Sequence, residues 1–483
     1  MKKSISSERI QEIGKPLERA HEEFARIYPG PTGRRQPVHT VYGGAHLFKA
    51  DTARRLGALA QHSLDEFAPD FVTFAHAAGL PGAQKLPDAA DAAPSLERYL
   101  NLDPETFRKE SRPAWLAHTI YHRVLDKLRR EPVEDFRIDF EDGYGNRPDS
   151  EEDGHAEAVA IEIAEGKSAG TLPPFIGIRI KPFTEELRAR SIRTTDIFLT
   201  TLVERTRGAL PENFFITLPK ITLPEEVAGL AALMTHLENS LRLTPGTLQM
   251  ELMIETTQSI FNPRGESNLL ALVAAAEGRC VAAHFGTYDY TAACSITAAH
   301  QHMMHPACDF AKHVMQVSLA GTGIWLSDGA TNIMPVAPHR AAKNGPALSA
   351  SEIAENRRAV HHAWRLHYQH VQHSLTNAYY QGWDLHPAQL PTRYAAVYAF
   401  FLEGLDAAAE RLRNFVEKAA LATLVGDVFD DAATGQGLLN YFLRAINCGA
   451  ITAEETQSLT GISHDEIRLG SFLKILEARR ARS

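Results

Sequence analysis

Short runs of β-branched and aromatic residues recur along the chain, and each is followed by a polar or glycine-rich turn and then by a segment with helical spacing. Such alternation is typical of a parallel α/β sheet. The runs that predict strands lie at 38–42, 70–74, 136–140, 175–180, 214–218, 250–254, 281–285 and 323–326, with a last run ending at Leu385. About eight strands over this span favour an α/β fold of the (β/α)8 TIM-barrel type, although a doubly wound sheet would give a similar pattern.

One internal stretch and the two ends of the chain depart from this alternation. Between 81 and 134, a Pro/Ala/Asp-rich loop precedes a segment of helical periodicity, which predicts a helical insertion beside the barrel. After Pro391 the chain turns helical again. We therefore expect an N-terminal helical arm over 1–37, a TIM-barrel domain over 38–392 and an added C-terminal helical region over 393–483.

Composition narrows the class of protein. The 483 residues are 44% hydrophobic and 23% charged, so the chain can bury a large core. A formal net charge of −9 argues against a nucleic-acid-binding protein, which normally has a basic face. The longest apolar run, 269–276, is far shorter than the roughly 20 residues that span a bilayer, so we expect no membrane association. Four widely spaced cysteines make neither a disulfide framework nor a zinc signature, which favours a cytoplasmic protein.

Acidic residues follow two of the predicted strands. Glu255 comes directly after the run 250–254, and Asp289 lies just beyond the run 281–285. Because the C-terminal ends of barrel strands face the active-site mouth, we expect these carboxylates to lie close together. Carboxylate oxygens are preferred ligands of hard divalent ions, so the pair predicts a site for Mg²⁺ or Mn²⁺.

Charged residues also end the second and third strands of the predicted barrel. Asp139, Glu141 and Asp142 form an acidic cluster, which is unfavourable unless a metal, water or cations neutralise it; a solvated loop is the alternative. Arg179 and Lys181 are two positions apart, so on a strand both side chains would point the same way. There they would suit a developing oxyanion or a substrate carboxylate. An ion pair with the neighbouring acids is the structural alternative for Arg179.

Two further strand ends offer side chains to a ligand. Lys220 follows Pro219, and it either binds an anionic ligand or is simply solvated. His386 would lie at the barrel rim, where it either contacts substrate or caps a loop. A group of histidines with helical spacing predicts an exposed helix face rather than a metal site: His361, His362, His367, His370 and His373.

In their order along the chain, these motifs resemble the strand-end motifs of the HpcH/HpaI aldolase and citrate lyase β-subunit superfamily. They are Asp139-Phe-Glu141-Asp142, Arg179, Pro219-Lys220, Glu255-Thr256, Gly286-Thr-Tyr-Asp289 and His386-Pro387-Ala-Gln389. The resemblance covers about residues 38–392 and implies a phosphoenolpyruvate/pyruvate-type TIM barrel that uses Mg²⁺ or a similar ion. Such barrels make or break a carbon–carbon bond beside an enolate. They often assemble, so we expect a homo-oligomer.

The resemblance also implies residue roles. Glu255 and Asp289 would bind the metal, and Arg179 would stabilise the enolate oxygen. Glu141 and Asp142 would lie behind the ligands or position metal-bound water. The residues expected to contact substrate are Lys181, Lys220, Thr256, Gly286, Thr287, Tyr288 and His386, with the backbone after Gly286 holding a carboxylate. One departure is Lys181, which stands where members of the superfamily often have asparagine.

These expectations describe a metal-dependent carbon–carbon lyase, aldolase-like or citrate-lyase-like, acting on a small hydroxy- or oxo-carboxylic acid through a metal-stabilised enolate. An alternative is a malate-synthase-like or acyl-CoA lyase that uses a CoA thioester, with Asp427, Asp430 or Asp431 as the base. A second alternative is a non-catalytic barrel that binds a carboxylate, which Lys181 in place of asparagine would support.

Overall fold

The protein is a closed parallel barrel with additional helices at both ends of the chain. A computed structural model describes residues 4–30, 33–88, 93–341, 346–417, 423–425, 428–430, 432–469, 474–475 and 477–479. Its strands are β1 (His39–Gly44), β2 (Asp135–Asp139), β3 (Phe175–Arg179), β4 (Phe214–Leu218), β5 (Gln249–Ile254), β6 (Cys280–Phe285), β7 (Trp325–Ala330), β8 (Gln381–Asp384), β9 (Thr423–Val425) and β10 (Val428–Asp430). Strands β1 to β8 pair in sequence order and β8 returns to β1, which confirms the predicted TIM barrel.

Helices lie before, between and after the strands of the barrel. They are α1 (Ser7–Ile27), α2 (Thr52–Phe67), α3 (Phe71–Ala78), α4 (Ala93–Leu102), α5 (Pro104–Glu110), α6 (Arg112–Arg130), α7 (Asp149–Ala169), α8 (Arg188–Thr206), α9 (Pro224–Leu241), α10 (Thr257–Ile260), α11 (Leu269–Ala275), α12 (Thr287–Ala293), α13 (Pro306–Leu319), α14 (Ala350–Thr376), α15 (Leu390–Glu403), α16 (Leu405–Glu417), α17 (Ala432–Asn447), α18 (Ala453–Thr460) and α19 (His464–Arg468).

Polar side chains fill much of the barrel interior. Every residue of β2 is buried, but only its alternate members, Phe136 and Ile138, belong to the hydrophobic core. Arg137 instead reaches across the interior, where its Nε donates to Thr217 Oγ1 at 3.1 Å and lies 3.5 Å from Glu251 Oε1. Barrel interiors are more often filled by branched apolar side chains. Here a buried ion network supports the layer that carries the site.

One predicted strand is wrong, because 70–74 forms the start of α3. Asp70 precedes this helix and accepts a hydrogen bond from the Thr73 N–H at 2.8 Å, and Gly79 ends the helix with a φ of 77°. A short apolar run is compatible with a buried strand or a buried helix, because both bury all their faces. The capping aspartate and the terminal glycine are the local signals that decide for the helix.

The predicted insertion is helical and contacts the C-terminal region. Helices α4, α5 and α6 lie between β1 and β2, within 81–134. Arg108 and Arg112 from this insertion both form ion pairs with Asp406 of α16. The predicted boundary at 392 falls inside α15, the helix that follows β8, so the division into domains stays a prediction.

The N-terminal arm is an exposed helix: none of the residues of α1 is buried. Its chain joins the barrel through the segment after Tyr28, where the Gly30 N–H donates to the Gly321 carbonyl at 2.8 Å. In the part of the chain that the structure describes, no helix has the length and apolar character that a membrane crossing requires.

Candidate active site

Arg179 ends β3 and is held rigidly inside the mouth of the barrel. Its Nε and Nη2 donate to the two carboxylate oxygens of Asp139 at 2.8 and 2.5 Å, in the bidentate geometry that fixes a guanidinium in one plane. The rings of Tyr42 and Trp383 lie 4.8 and 5.5 Å from its central carbon. Burial alone would lower the pKa of Arg179, but Asp139 and Glu141 raise it overall, so the side chain stays charged.

Arg179 also presents one nitrogen to the mouth. Its Nη1 lies 3.3 Å from Glu141 Oε2 and 3.7 Å from the sulfur of Met253, which is a weak acceptor. This nitrogen therefore has less complete hydrogen bonding than the pair that Asp139 holds. It is the part of the guanidinium best suited to bind a ligand.

The ammonium group of Lys220 lies close to three carboxylates at the mouth. Its Nζ lies 2.6 Å from Glu141, 2.9 Å from Asp142 and 3.5 Å from Asp289. Burial lowers the pKa of Lys220, but Glu255 and Glu141 outweigh burial and raise it, so the lysine is a permanent cation at neutral pH. Its backbone has a φ of 51°, a left-handed conformation that costs energy for a residue with a side chain.

This strained backbone orients the next acid. The Lys220 N–H donates to Glu255 Oε1 at 2.7 Å. Glu255 is 1% exposed, and burial together with Asp289 raises its pKa to about 7, although Lys220 and Arg179 act in the opposite direction. A buried carboxyl with a raised pKa lacks enough positive charge around it.

Gly286 makes room for Glu255. A methyl group at position 286 would lie 2.4 Å from Glu255 Oε2 and 2.5 Å from its Cβ, closer than real atoms approach. The glycine follows β6, and its N–H donates to the Ile254 carbonyl at 3.1 Å. Glycine is therefore required here by close approach of the carboxylate, since its φ of −103° is open to other residues.

The pKa values of Glu141 and Asp142 shift in opposite directions. Burial is the main cause that raises the pKa of Glu141. Burial also raises the pKa of Asp142, but the hydrogen bond from Lys220 lowers it overall. Asp289 is 42% exposed at its side chain, so water reaches this side of the cluster.

The donor set fits a hard divalent ion. Asp289 opposes ionisation of Glu255, and carboxylates outnumber the cations Arg179 and Lys220 at the mouth. Among the described residues, these acids do not offer three oxygens within 4.8 Å of one another. Glu255 and Asp289 would therefore hold the ion together with water or substrate, as Mg²⁺ commonly requires, and Lys220 would remain beside it.

A family described as "Domain of unknown function (DUF6986)" matches residues 17–475. The chain belongs to this family. No curated protein matches the sequence.

Solved structures show what the DUF6986 fold is similar to. A citrate lyase from Burkholderia xenovorans LB400 is 20% identical with a TM-score of 0.51, covering 70% of this chain and 92% of that one. CitE from Mycobacterium tuberculosis, in complex with magnesium, acetoacetate and coenzyme A, is 11% identical with a TM-score of 0.40, covering 68% and 95%. A Haloferax volcanii malate synthase lead(II) complex is 16% identical with a TM-score of 0.38, covering 74% and 92%. The citrate lyase confirms the predicted resemblance at the level of the fold.

Lys181 of the DUF6986 protein lies away from Arg179. Its Nζ is 3.0 Å from Glu152 Oε2 on α7 and donates to the Phe140 carbonyl at 2.5 Å, beside the ring of Tyr144. The two cations do not face the same way, because β3 ends at Arg179 and strand alternation stops there. The predicted substrate contact of Lys181 gains no support from this position.

Other predicted contact residues serve the local structure. Thr256 donates to the Ile221 carbonyl at 2.5 Å and caps α10, and Tyr288 donates to the Ala330 carbonyl at 2.8 Å. His386 caps the turn at Pro387–Gln389 by accepting the Ala388 N–H at 3.2 Å. Thr287 differs from these three: within the described chain, its buried hydroxyl has no hydrogen-bond partner.

Sequence reasoning missed the aromatic residues that hold Arg179. Tyr42 in β1 and Trp383 in β8 come together because the two strands are neighbours, and their ring centroids are 4.4 Å apart. The Tyr42 hydroxyl lies 3.1 Å from His284 Nδ1. Strand alternation offered a signal, since residues with this periodicity share the barrel interior, but barrel closure between distant segments was needed to pair them.

The expected exposed face of histidines is wrong for His367 and His370, whereas His362 is exposed as predicted. His367 is fully buried and its Nε2–H donates to Asp384 at 2.9 Å, while His370 is 5% exposed and lies 2.9 Å from the Thr331 hydroxyl. These histidines join α14 to the ends of β7 and β8. Helical spacing alone does not show which side of a helix faces the barrel.

Proposed function

We propose that this protein is a metal-dependent carbon–carbon lyase, acting on a small hydroxy- or oxo-carboxylic acid. One observation carries the proposal: Glu255 and Asp289 lie with the fixed guanidinium of Arg179 at the mouth of one parallel barrel. When bound, Mg²⁺ or Mn²⁺ would act as a Lewis acid towards the substrate oxygens. The likeness to citrate lyase supports the fold that this chemistry needs.

Arg179 would bind the oxygen on which negative charge develops as the bond breaks. It is charged, its plane is set by Asp139, and its Nη1 faces Glu141 at 3.3 Å. A donor that is oriented before the reaction stabilises the transition state without reorganisation cost. Asp139 is thus a positioning residue for Arg179.

Lys220 would compensate part of the negative charge at the barrel mouth. Its ammonium contacts Glu141 and Asp142 and its N–H orients Glu255, so a single residue links three acids. An anionic substrate could then approach without facing an uncompensated acidic surface. Glu141 would accept a hydrogen bond from water on the Arg179 side, where its Oε2 lies 3.3 Å from Arg179 Nη1.

Two alternatives to the free-acid lyase are a thioester-dependent enzyme and a non-catalytic barrel. Asp427 and Asp431, which the thioester version needs, lie outside the described residues, and Asp430 is described only in the backbone of β10. The non-catalytic version rested on Lys181, but that side chain pairs with Glu152 and leaves the surroundings of Arg179 unchanged. The position of Lys181 therefore removes the support for the non-catalytic version, and coenzyme A binding tests the thioester version.

The decisive experiment is proton exchange at the methyl group of pyruvate, measured by NMR in D₂O with Mg²⁺ or Mn²⁺ and with excess chelator. Exchange that depends on the ion and is lost in Glu255→Gln supports the proposal. Tight metal binding without exchange would overturn it in favour of another substrate class or a binding barrel. Calorimetry with coenzyme A separates the thioester version, which predicts binding, from the free-acid version, which predicts none.

A further inference from the structure

A second group of metal-ligating side chains lies in the insertion between β1 and β2. His118 and His122 are one turn apart on α6, and Glu97 comes from α4. Their ligand atoms all lie within 4.8 Å of one another. Among the described residues, the acids at the barrel mouth do not come this close in a group of three. The Nε2 of His122 is 3.1 Å from Glu97 Oε1, and the two imidazole centroids are 4.3 Å apart.

The imidazole nitrogens of this trio are buried without hydrogen bonds. In the described part of the chain, His118 Nε2 has no hydrogen-bond partner, and His122 Nε2 meets the Glu97 carboxylate at 3.1 Å without a well-aligned hydrogen bond. A buried nitrogen without a partner is unfavourable, because it has lost its water and gained nothing in return. An unpartnered imidazole nitrogen beside a histidine–carboxylate pair indicates that a bound group completes this site.

The protonation state of His118 suits a metal. Burial and the neighbouring His122 lower the pKa of His118 to about 4, so its ring is neutral at physiological pH. A neutral imidazole has a lone pair to donate, and a proton does not compete with the ion. A purely structural pair would normally donate its N–H groups to acceptors, as His367 does to Asp384.

We propose that Glu97, His118 and His122 bind one Zn²⁺ ion, or a similar transition-metal ion, with the fourth position open to water. Two imidazoles four residues apart on a helix and one carboxylate form a ligand set that suits zinc. The acids at the mouth offer only oxygen and suit Mg²⁺ or Mn²⁺, so the two sites select different ions. This site stands independently of the proposed lyase activity.

The bound ion would link α4 to α6, because its ligands come from both helices. Only Ala93 and Leu100 of α4 are buried, so apolar packing holds this helix weakly. His118 packs edge-on against Phe71 of α3 at 5.4 Å, which keeps one ligand in place before the ion arrives. Metal binding to the folded state would therefore stabilise the insertion.

Cobalt(II) spectroscopy of the chelator-treated full chain tests the site. We expect one equivalent of Co²⁺ to give the visible absorption bands of a tetrahedral nitrogen–oxygen site, and stoichiometric Zn²⁺ to displace it. The bands should vanish in His118→Asn and in Glu97→Gln, and should persist in Glu255→Gln, which removes the other site.

His62→Asn is the matched control. His62 lies 3.6 Å from Glu66 one turn further along α2, but this pair is exposed and has no second histidine. The control should keep the bands and the rise in Tm that Zn²⁺ gives the wild type. If the wild type lacks the bands, or if a folded His118→Asn variant keeps both the bands and the Zn²⁺-dependent rise in Tm, the proposal is overturned.

Discussion

At the scale of single residues, Arg179 combines a positive charge with a fixed orientation of its guanidinium group. Asp139 accepts from two guanidinium nitrogens, so the remaining nitrogen is fixed in direction. A lysine at this position would keep the positive charge but would lose the planar fork. Substitution of Arg179 by lysine therefore distinguishes the effect of guanidinium orientation from the effect of positive charge.

We expect Arg179→Lys to lower kcat by about 10²-fold to 10³-fold, the loss that follows removal of one preorganised oxyanion donor. Metal affinity should stay close to that of the wild type, because Glu255 and Asp289 are intact. Arg188→Lys, an exposed arginine paired with Glu185, is the control and should retain full activity. Equal kcat values in the two variants would remove Arg179 from the mechanism.

Gly286 gives a second prediction at this scale. Gly286→Ala places a methyl group 2.4 Å from Glu255 Oε2, so the carboxylate must move and Mg²⁺ or Mn²⁺ binding should be lost. Calorimetric titration with Mn²⁺ measures this loss. Gly154→Ala on α7 is the matched control, since a methyl group there meets nothing within 4 Å and should leave binding unchanged. Normal Mn²⁺ binding by Gly286→Ala would contradict the assigned position of Glu255.

The raised pKa of Glu255 predicts how pH affects stability. The carboxyl holds its proton more tightly in the folded state, with a pKa of about 7 against an ordinary 4.5. Its contribution to stability is therefore present below the unfolded value and is lost as pH rises from about 4.5 to about 7. Without divalent ions, Tm should fall over this interval.

Added Mg²⁺ should offset that fall, because the ion binds the deprotonated carboxylate. Thermal melts at several pH values, with Mg²⁺ and with chelator, measure both effects. Glu255→Gln should show neither the fall assigned to this carboxyl nor the compensation by Mg²⁺. An identical pH dependence in wild type and variant would show that another group is responsible.

At the scale of elements, caps decide structure where periodicity is ambiguous. The run 70–74 became a helix because Asp70 satisfies the Thr73 N–H and the chain reverses at Gly79. Without such a cap, the first N–H groups of a buried helix would lack partners. Asp70 is thus the residue on which α3 depends most.

We expect Asp70→Ala to lower the free energy of unfolding by about 1 kcal/mol, the usual cost of losing an N-cap. Asp70→Asn should lower it much less, because its amide oxygen can accept the same N–H. Urea denaturation monitored by circular dichroism compares the variants. An alanine variant as stable as the asparagine variant would exclude the cap as the determinant.

At the scale of the whole molecule, barrel closure creates the site. Residues from β2, β3, β4, β5 and the segment after β6 reach one mouth because parallel strands all end on the same side. The homo-oligomer expected from the resemblance stays a prediction at this scale. Light scattering of the full chain should give a mass above that of one subunit, and a monomer at working concentrations would dismiss it.

Local patterns predicted most of the architecture. The strands at 136–140, 175–180, 214–218, 250–254 and 281–285 match β2 to β6 within a residue or two, because buried parallel strands are short, apolar and bounded by turns. The order of acids and cations at their ends also identified Arg179, Glu255 and Asp289 as neighbours. These inferences needed only strand polarity, which the sequence carries.

Tertiary structure decided what each side chain faces. Lys181 points towards Glu152 because β3 ends at Arg179, two residues before it. Lys220 reaches Glu141 from a left-handed backbone that no pattern predicts. The sequence by itself determined the barrel and which residues stand at its strand ends, since these depend on local propensity and periodicity. Only the closed barrel decided their partners, their burial and the pKa of Glu255, because these depend on contacts between segments far apart in the chain.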